Sequence, residues 1–419
     1  MDAERKKVLY HSGVRRLLLS TLISATGDAF VLVALPFAVL GVSDEPSAFG
    51  AVLAAHTVAL VVFMLPGGLV GDRYSPTKTI FVTDIVRMGT QGTIALLVLT
   101  GTATIWLLAA IYAVHGIASA FHFPTSRAVI SQLVPAESIQ TVTAMLSMAY
   151  STALILGPLA AGVTLSLSTP GVAIAVDAGT FLVSAVLIAE LGVGKPEQQT
   201  ADTDNGWKEI FGGFAQVRTR RWLALGLFHA ALFQCFAVAP NQVLGPLIAK
   251  SEYGGPGDWA MLVSIASCGH LVGGLLAMRF KPRRPMIAVF VSAAGGAPVL
   301  IALGLAPALA VPLILMGVYG IAISYADTLW HSVIQRWLPG AVLGRVFAID
   351  GLISFGLRPV AIVAVAAAGS WWGTRDVMIV GGVGTLVLSA LVLVLPAARM
   401  SDDSEPMQKQ PVDELHERT

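Results

Sequence analysis

Apolar residues in this chain come in long blocks rather than in short alternation with polar ones. Twelve stretches of roughly 19 to 28 residues follow one another from Leu17 to Leu395, each reading as apolar around its whole circumference. About 20 helical residues cross a hydrocarbon core roughly 30 Å thick, and no water-soluble core could bury twelve such helices. The blocks predict spans over Leu17–Leu40, Phe49–Val70, Thr79–Leu99, Ile105–Phe123, Ser138–Leu165, Gly171–Leu191, Trp222–Ile248, Trp259–Met278, Pro285–Leu305, Leu309–Leu329, Leu343–Ala368 and Val377–Leu395. The expected fold is an all-α membrane protein of twelve transmembrane helices.

Composition agrees with that expectation. Hydrophobic residues make up 55% of the chain and mean hydropathy is +0.77. Charged residues make up 12%, about half the share of a soluble domain. A net charge of +1 gives no ground for a nucleic-acid partner. Where the charges lie says more. Basic residues crowd the N-terminal tail and the loops on its side, among them Arg5, Lys6, Arg73, Lys78, Arg279 and Arg284, while the opposite loops hold only Lys250 and Arg375. The positive-inside rule then places both termini in the cytoplasm, and an even number of spans agrees. No signal peptide is expected, because the basic N-terminus leads into a span too long for one. Cys235 and Cys268 fall inside spans 7 and 8 and read as packing residues, not as a disulfide or a metal pair. No clustered metal ligands, nucleophile motif or phosphate loop stands out, so neither enzymatic chemistry nor a cofactor is expected, and ATP does not energise the chain directly.

One long internal loop, Gly192 to Arg221, divides the spans six and six. The implied units are an N-terminal half (1–192), a central cytoplasmic loop (193–221), a C-terminal half (222–398) and a polar disordered tail (399–419). Within the loop, Trp207, Ile210, Phe211, Phe214 and Val217 recur at helical spacing opposite Lys208, Glu209, Gln216 and Arg218, which predicts an amphipathic interfacial helix. The halves also echo each other. Val114, Gly116, Ile117, Ala118, Val129, Ile130 and Pro135 each find an identical residue 204 positions later, which sets span 4 opposite span 10. Repeated halves predict a rocking transporter with its substrate cavity between them near the midplane.

The loop after span 2 reads Gly68-Leu69-Val70-Gly71-Asp72-Arg73-Tyr74-Ser75-Pro76-Thr77-Lys78. It resembles the signature of the major facilitator superfamily, a glycine followed four residues on by Asp-Arg and then by further basic residues. Gly68, Asp72, Arg73 and Lys78 fit, and Ser75-Pro76 departs from the family's Gly-Arg. The resemblance implies that this loop latches the halves together on the cytoplasmic side while the cavity faces outward. A carboxylate at a helix N-terminus, such as that of span 11, gains about 0.3–2 kcal/mol, small enough to break in each cycle. The loop after span 8 keeps Gly274 and Arg279 but has Met278 in place of the aspartate, so only the first half carries the full latch. In span 5, Leu156-Gly157-Pro158-Leu159-Ala160-Ala161-Gly162 resembles the Gly-Pro signature of superfamily exporters, with Gly157, Pro158 and Gly162 allowing a bend and close packing. Arg358-Pro359 holds a roughly corresponding place in span 11.

Ionisable residues within a span are costly and are functional candidates. Asp28 lies about 20 Å past Arg15 and Arg358 at similar depth, which predicts a proton-sensitive pair between spans 1 and 11. Asp84 and Arg87, three apart on one face of span 3, pair with each other or with the latch. His115 and His270 sit near mid-depth as possible proton carriers. His56, Asp177, His229, Asp327, His331 and Asp350 fall nearer helix ends, and Gln234 with Asn241 gives span 7 a polar face.

Five segments together resemble the macrolide-efflux and enterobactin-exporter branch of the superfamily: Ser24-Ala25-Thr26-Gly27-Asp28, Asp84 with Arg87, Leu133-Val134-Pro135, Leu156-Gly157-Pro158 and Trp207-Lys208-Glu209-Ile210-Phe211-Gly212-Gly213. The resemblance implies a monomeric secondary exporter in the cytoplasmic membrane, its partners a drug-like or natural-product small molecule, protons and membrane lipid. A lipid, lysophospholipid or siderophore transporter of the same fold is the alternative. A non-transporting scaffold or sensor would need neither the latch nor the midplane charges.

Overall fold

The structure, a computed structural model, describes residues 12–73, 75–191, 217–218 and 220–399. Among them are 12 helices long and apolar enough to cross a membrane. They are α1 (Ser12–Leu40), α2 (Pro46–Arg73), α3 (Pro76–Leu99), α4 (Ile105–Leu133), α5 (Ala136–Leu167), α6 (Pro170–Ala189), α7 (Arg221–Glu252), α8 (Pro256–Arg279), α9 (Pro285–Leu305), α10 (Ala310–Trp337), α11 (Gly340–Gly356, resuming as Arg358–Trp372) and α12 (Thr374–Val394). Proline opens α2, α3, α6, α8 and α9, where its fixed φ suits the first turn and its missing N–H removes a donor that no helix carbonyl could meet. Of the central loop only residues 217–218 and 220 onward are described, so most of the expected interfacial helix (207–218), the linker before it and the tail beyond Arg399 lie outside the described residues.

Each expected span has its helix, with one systematic difference. α4 and α10 continue well past the ends of their apolar blocks, to Leu133 and Trp337. These last turns are amphipathic and bury one side. Val129 and Ile130 pack with Val14, Leu17 and Ile80 in one cluster, and Val333 and Ile334 pack with Trp222, Leu223 and Phe290 in another. The same pair of residues, 204 positions apart, therefore serves the same purpose in both halves.

These two clusters keep each half's core to itself on the side of the membrane where Ser12 lies. The third and largest cluster is shared. Phe30, Leu35, Phe49 and Tyr112 from the first six helices join Leu244, Trp259, Tyr319 and Ile362 from the last six. The halves meet along α5 against α8 and α2 against α11. Gly162 of α5 lies against Ala260 of α8, and Gly50 of α2 against Ala366 of α11. At the rim of this end Lys250 binds Asp44 at 2.6 Å and the Leu40 carbonyl at 3.0 Å, and the Ser47 N–H donates to Ser370 Oγ at 3.3 Å. Among the described residues the two halves share a core at the end away from Ser12 and hold separate cores at the other.

Close backbone approach sets the pairing within each half. Gly116 brings α4 onto the His56 carbonyl of α2, and its repeat partner Gly320 brings α10 onto the Ala266 carbonyl of α8; a Cβ at either glycine would collide with backbone. α5 runs through Pro158 without interruption, whereas α11 is broken at Leu357 just before Arg358-Pro359. α7 carries a five-residue π-helical segment at Gln234–Val238. We expect Gly320→Leu to cost at least about 1–3 kcal/mol through overpacking, read as a lower unfolding temperature in detergent. The neighbouring exposed Val318→Leu should change it little, and equal behaviour of the two variants would refute the close-approach account.

Candidate functional site

Span 3 is not apolar around its circumference, contrary to the block reading. Thr83, Asp84, Arg87 and Gln91 recur at helical spacing and are all buried, while Phe81, Val82, Leu96 and Leu99 face outward. α3 is an inside-out amphipathic helix, as a charged face must be when the surrounding solvent is hydrocarbon. Two other helices offer matching polar faces: Ser20, Ser24 and Asp28 on α1, and Asp177, Thr180 and Ser184 on α6.

At the centre of these faces is Arg87. Its Nη2 donates to Asp28 Oδ1 at 2.7 Å and to Asp28 Oδ2 at 2.9 Å, and its Nη1 lies 3.7 Å from Asp84 Oδ1. The guanidinium carbon stands 4.0 Å above the ring of Phe181, adding a cation–π contact. Arg87 and Asp84 are 6% and 0% exposed, but Asp28 is 42% exposed. One carboxylate of the cluster is therefore reachable and the rest is sealed.

The sealed part continues in two directions. Asp84 Oδ2 accepts from Ser184 Oγ at 2.6 Å, and Ser184 meets Ser20 at 2.8 Å. His122 of α4 approaches Asp84 Oδ1 at 3.4 Å and Thr83 at 3.4 Å. Further along, Gln91 Nε2 donates to Asp177 Oδ2 at 2.7 Å, and Thr180 Oγ1 to Asp177 Oδ1 at 3.4 Å. Two carboxylates, Asp28 and Asp84, thus share one guanidinium inside the first half, and a third, Asp177, lies near enough to act on it while bonded to Gln91.

Several expectations change here. Asp28 pairs with Arg87 of its own half, not with Arg358. Arg358 instead donates to Gln242 Oε1 at 2.7 Å. Depth along the sequence had matched Asp28 to Arg358, but α1 packs on α5 and α6 beside α3, so the nearer guanidinium takes the carboxylate. Asp84 and Arg87 do lie together, though their 3.7 Å separation is looser than the bond to Asp28. Asp177 is fully buried, not near a watered helix end. His115 is buried, 3.2 Å from Thr90 Oγ1, stacked on Tyr112 and in tilted contact with His56 and Phe181. His270 is exposed on α8, contacts its own helix at the Ala266 carbonyl (2.8 Å) and joins none of the other candidates.

The second half has a polar strip of another kind. Gln234 opens the π-helical segment of α7, a backbone irregularity that recurs at functional sites. Its Oε1, Asn241 Oδ1 and Arg358 Nε are buried without a hydrogen-bond partner. A further group lies where α10 meets α11: Asp350 accepts from Trp330 Nε1 at 3.0 Å, and His331 lies 3.7 Å from Asp350 and 3.5 Å from Asp327. Of the latch, Gly68, Asp72 and Arg73 form the last turns of α2, but their side-chain placement lies outside the described residues. Lys78 is exposed on the first turn of α3. Gly157 rests on Ala29 and the Thr26 carbonyl of α1, so the Gly-Pro segment seats α5 beside the helix that carries Asp28.

The family profile described as Major Facilitator Superfamily matches residues 17–358. The chain belongs to this superfamily, and is therefore a transporter, not an enzyme. It is similar to macrolide efflux protein A of Streptococcus pyogenes, 22% identical over 334 residues, with 78% of this chain and 82% of that protein covered. It is also similar to the MFS-type transporter YfiS of Bacillus subtilis, 22% identical over 406 residues covering 91% and 93%. Among solved structures, an aspartate-to-alanine mutant of the nucleoside transporter NupG superposes with a TM-score of 0.77 at 12% identity, covering 91% of this chain and 99% of its own. A bacterial homolog of the human lysosomal transporter Spinster, in an inward-facing and unoccupied conformation, superposes with a TM-score of 0.70 at 16% identity, covering 92% and 96%.

Removing Arg87 leaves the half-buried Asp28 and the buried Asp84 without their cation. Arg87→Met should destabilise the protein by about 3–5 kcal/mol, and adding Asp84→Asn should recover part of that loss. Additive losses in thermal unfolding of the single and double variants would contradict the shared-cation geometry.

Proposed function

We propose that this transporter is a secondary exporter, moving a drug-like or natural-product small molecule out across the cell membrane by alternating access coupled to proton antiport. The observation that carries the reading is Asp28: a carboxylate 42% exposed, bonded through both oxygens to a nearly sealed arginine. A proton arriving at Asp28 removes the charge that holds Arg87 and loosens α1 from α3. Loss of the proton restores the pair. Proton occupancy is thereby linked to helix packing in the first half, the two-state element that antiport requires. Export, as opposed to uptake, is supported by the relatives named macrolide efflux protein A.

The geometry fits loading from the terminus side. With both termini in the cytoplasm, as the basic loops suggest, the shared core lies at the outer end and the separate cores face the cytoplasm. The Lys250–Asp44 contact and the seats of Gly162 and Gly50 would part as the outer end opens. On this reading Asp28 serves the proton rather than a cationic substrate, since its acceptor oxygens are already occupied by Arg87. A single chain contains both halves and both polar strips, so we assign the monomer as the working unit.

The test is accumulation of antibiotics, cationic dyes, siderophores and lysolipids in efflux-deficient cells expressing the protein, with and without a protonophore. At least one compound should accumulate several-fold less, with the protonophore abolishing the difference, and Asp28→Asn should remove uphill export while leaving the protein folded. Full export by Asp28→Asn would take Asp28 out of the mechanism.

A further inference from the structure

The two mid-membrane arginines are in opposite situations. Arg87 is answered by Asp28 at 2.7 Å and Asp84 at 3.7 Å. Arg358 has no carboxylate within ion-pair distance among the described residues; its one hydrogen-bond partner is the neutral amide of Gln242, and its Nε is buried with none. The ionisable groups near it are the phenols Tyr319 and Tyr112, uncharged at neutral pH, and His56, none of them an anion there. A guanidinium does not give up its proton, and a charge held in a span without a counter-charge costs several kcal/mol. The fold bears that cost with no structural return among the described residues.

α11 is interrupted at Leu357, which keeps right-handed helical dihedrals (φ −81°, ψ −19°), and resumes as a 15-residue helix whose first residue is Arg358. Pro359 in the first turn favours the break there. Across from it, α7 presents Gln242, whose Oε1 accepts from Arg358 Nη2 and whose amide N–H groups remain donors. Tyr112, from the opposite half, is near enough to act on Arg358, so the site lies where the halves meet. Arg358 remains partly accessible.

From this we infer that Arg358, with the Gln242 amide, is an anion subsite that binds the acidic group of the transported molecule, so the substrate is an amphipathic carboxylic acid or zwitterion. The binding claim stands on the geometry of this site, and only its assignment to a transported substrate rests on the exporter reading. The apolar and aromatic surroundings take the body of the molecule and the guanidinium its carboxylate. The two polar strips then divide the work: the half with surplus carboxylates handles protons, and the half with a surplus cation holds the acid. An anionic lipid headgroup offers the same oxyanion chemistry, and the experiment separates it from a soluble acid.

The full-length protein in phosphatidylcholine nanodiscs is titrated with matched probes: dansyl-phenylalanine against its amide, and naphthalene-2-carboxylate against naphthalene-2-carboxamide. Each acid should bind about tenfold or more tightly than its amide, a gap expected of a charge-assisted bond. Arg358→Gln should erase that gap without lowering the unfolding temperature, because the charge it removes is uncompensated in the fold. Arg358→Lys should keep a reduced gap, and it decides the matter if Arg358→Gln does not fold. Equal affinity for acid and amide in the wild type, or a gap unchanged in either variant, overturns the subsite. If only added phosphatidylglycerol raises the unfolding temperature in an Arg358-dependent way, the occupant is a lipid and the substrate assignment falls. A gap in binding without transport of any probe would overturn the exporter reading and leave the anion site standing.

Discussion

A charge inside a bilayer has no water to fall back on, so it must find a partner or wait for one. That constraint organises this molecule. It turns α3 inside out, draws the polar faces of α1 and α6 onto it, and fixes the first half around Arg87. The net effect of such a cluster on stability is modest, since desolvation offsets much of the Coulomb attraction. Its larger consequence is geometric: Asp28, Asp84 and Asp177 can all be satisfied only if α1, α3 and α6 keep one arrangement. Neutralise one member and that arrangement is no longer enforced.

The same constraint, left unmet in the second half, gives the molecule its asymmetry. Two halves built on repeated glycines and repeated core residues bear opposite charge surpluses at mid-membrane. Gly116 and Gly320 set equivalent helix pairs, yet α3 carries an acid-rich strip while α7 and α11 carry an amide-flanked arginine. Repetition supplies the scaffold and divergence of the polar strips supplies the chemistry. At one end the halves share a core in which Trp259, Leu244 and Ile362 pack with residues of the first half. At the other they hold separate cores, so motion about the shared end needs no disruption within either half.

Twelve spans, their order and their ends were legible to within a few residues because hydrocarbon demands long apolar blocks and little else competes with that signal. The exceptions have a reason. α4 and α10 run on as amphipathic helices, whose mixed composition ends a hydropathy block though not a helix. The polar site was legible in its members and not in its pairings. Asp28, Arg87 and Arg358 are conspicuous in sequence because each interrupts an apolar run. Which carboxylate meets which guanidinium depends on helix neighbours, and depth along a span does not encode those. Gln91 and Asp177 went unassigned as a pair, although the spacing of Thr83, Asp84, Arg87 and Gln91 already marks one face of α3, and Asp177 with Phe181 and Ser184 marks the answering face of α6. The π-helical segment of α7 has no sequence signal beyond the polar Gln234 itself.

The central claim is that proton movement and substrate movement are obligatorily linked through the first-half cluster. It is tested most directly in proteoliposomes holding a trapped pH-sensitive dye, with a gradient of whichever compound the cell assay shows to be exported and no other driving force. The account predicts that the compound running down its gradient drives protons the opposite way, and that Asp28→Asn carries the compound without moving protons. Compound flux through the wild-type protein with no accompanying change in internal pH would contradict it.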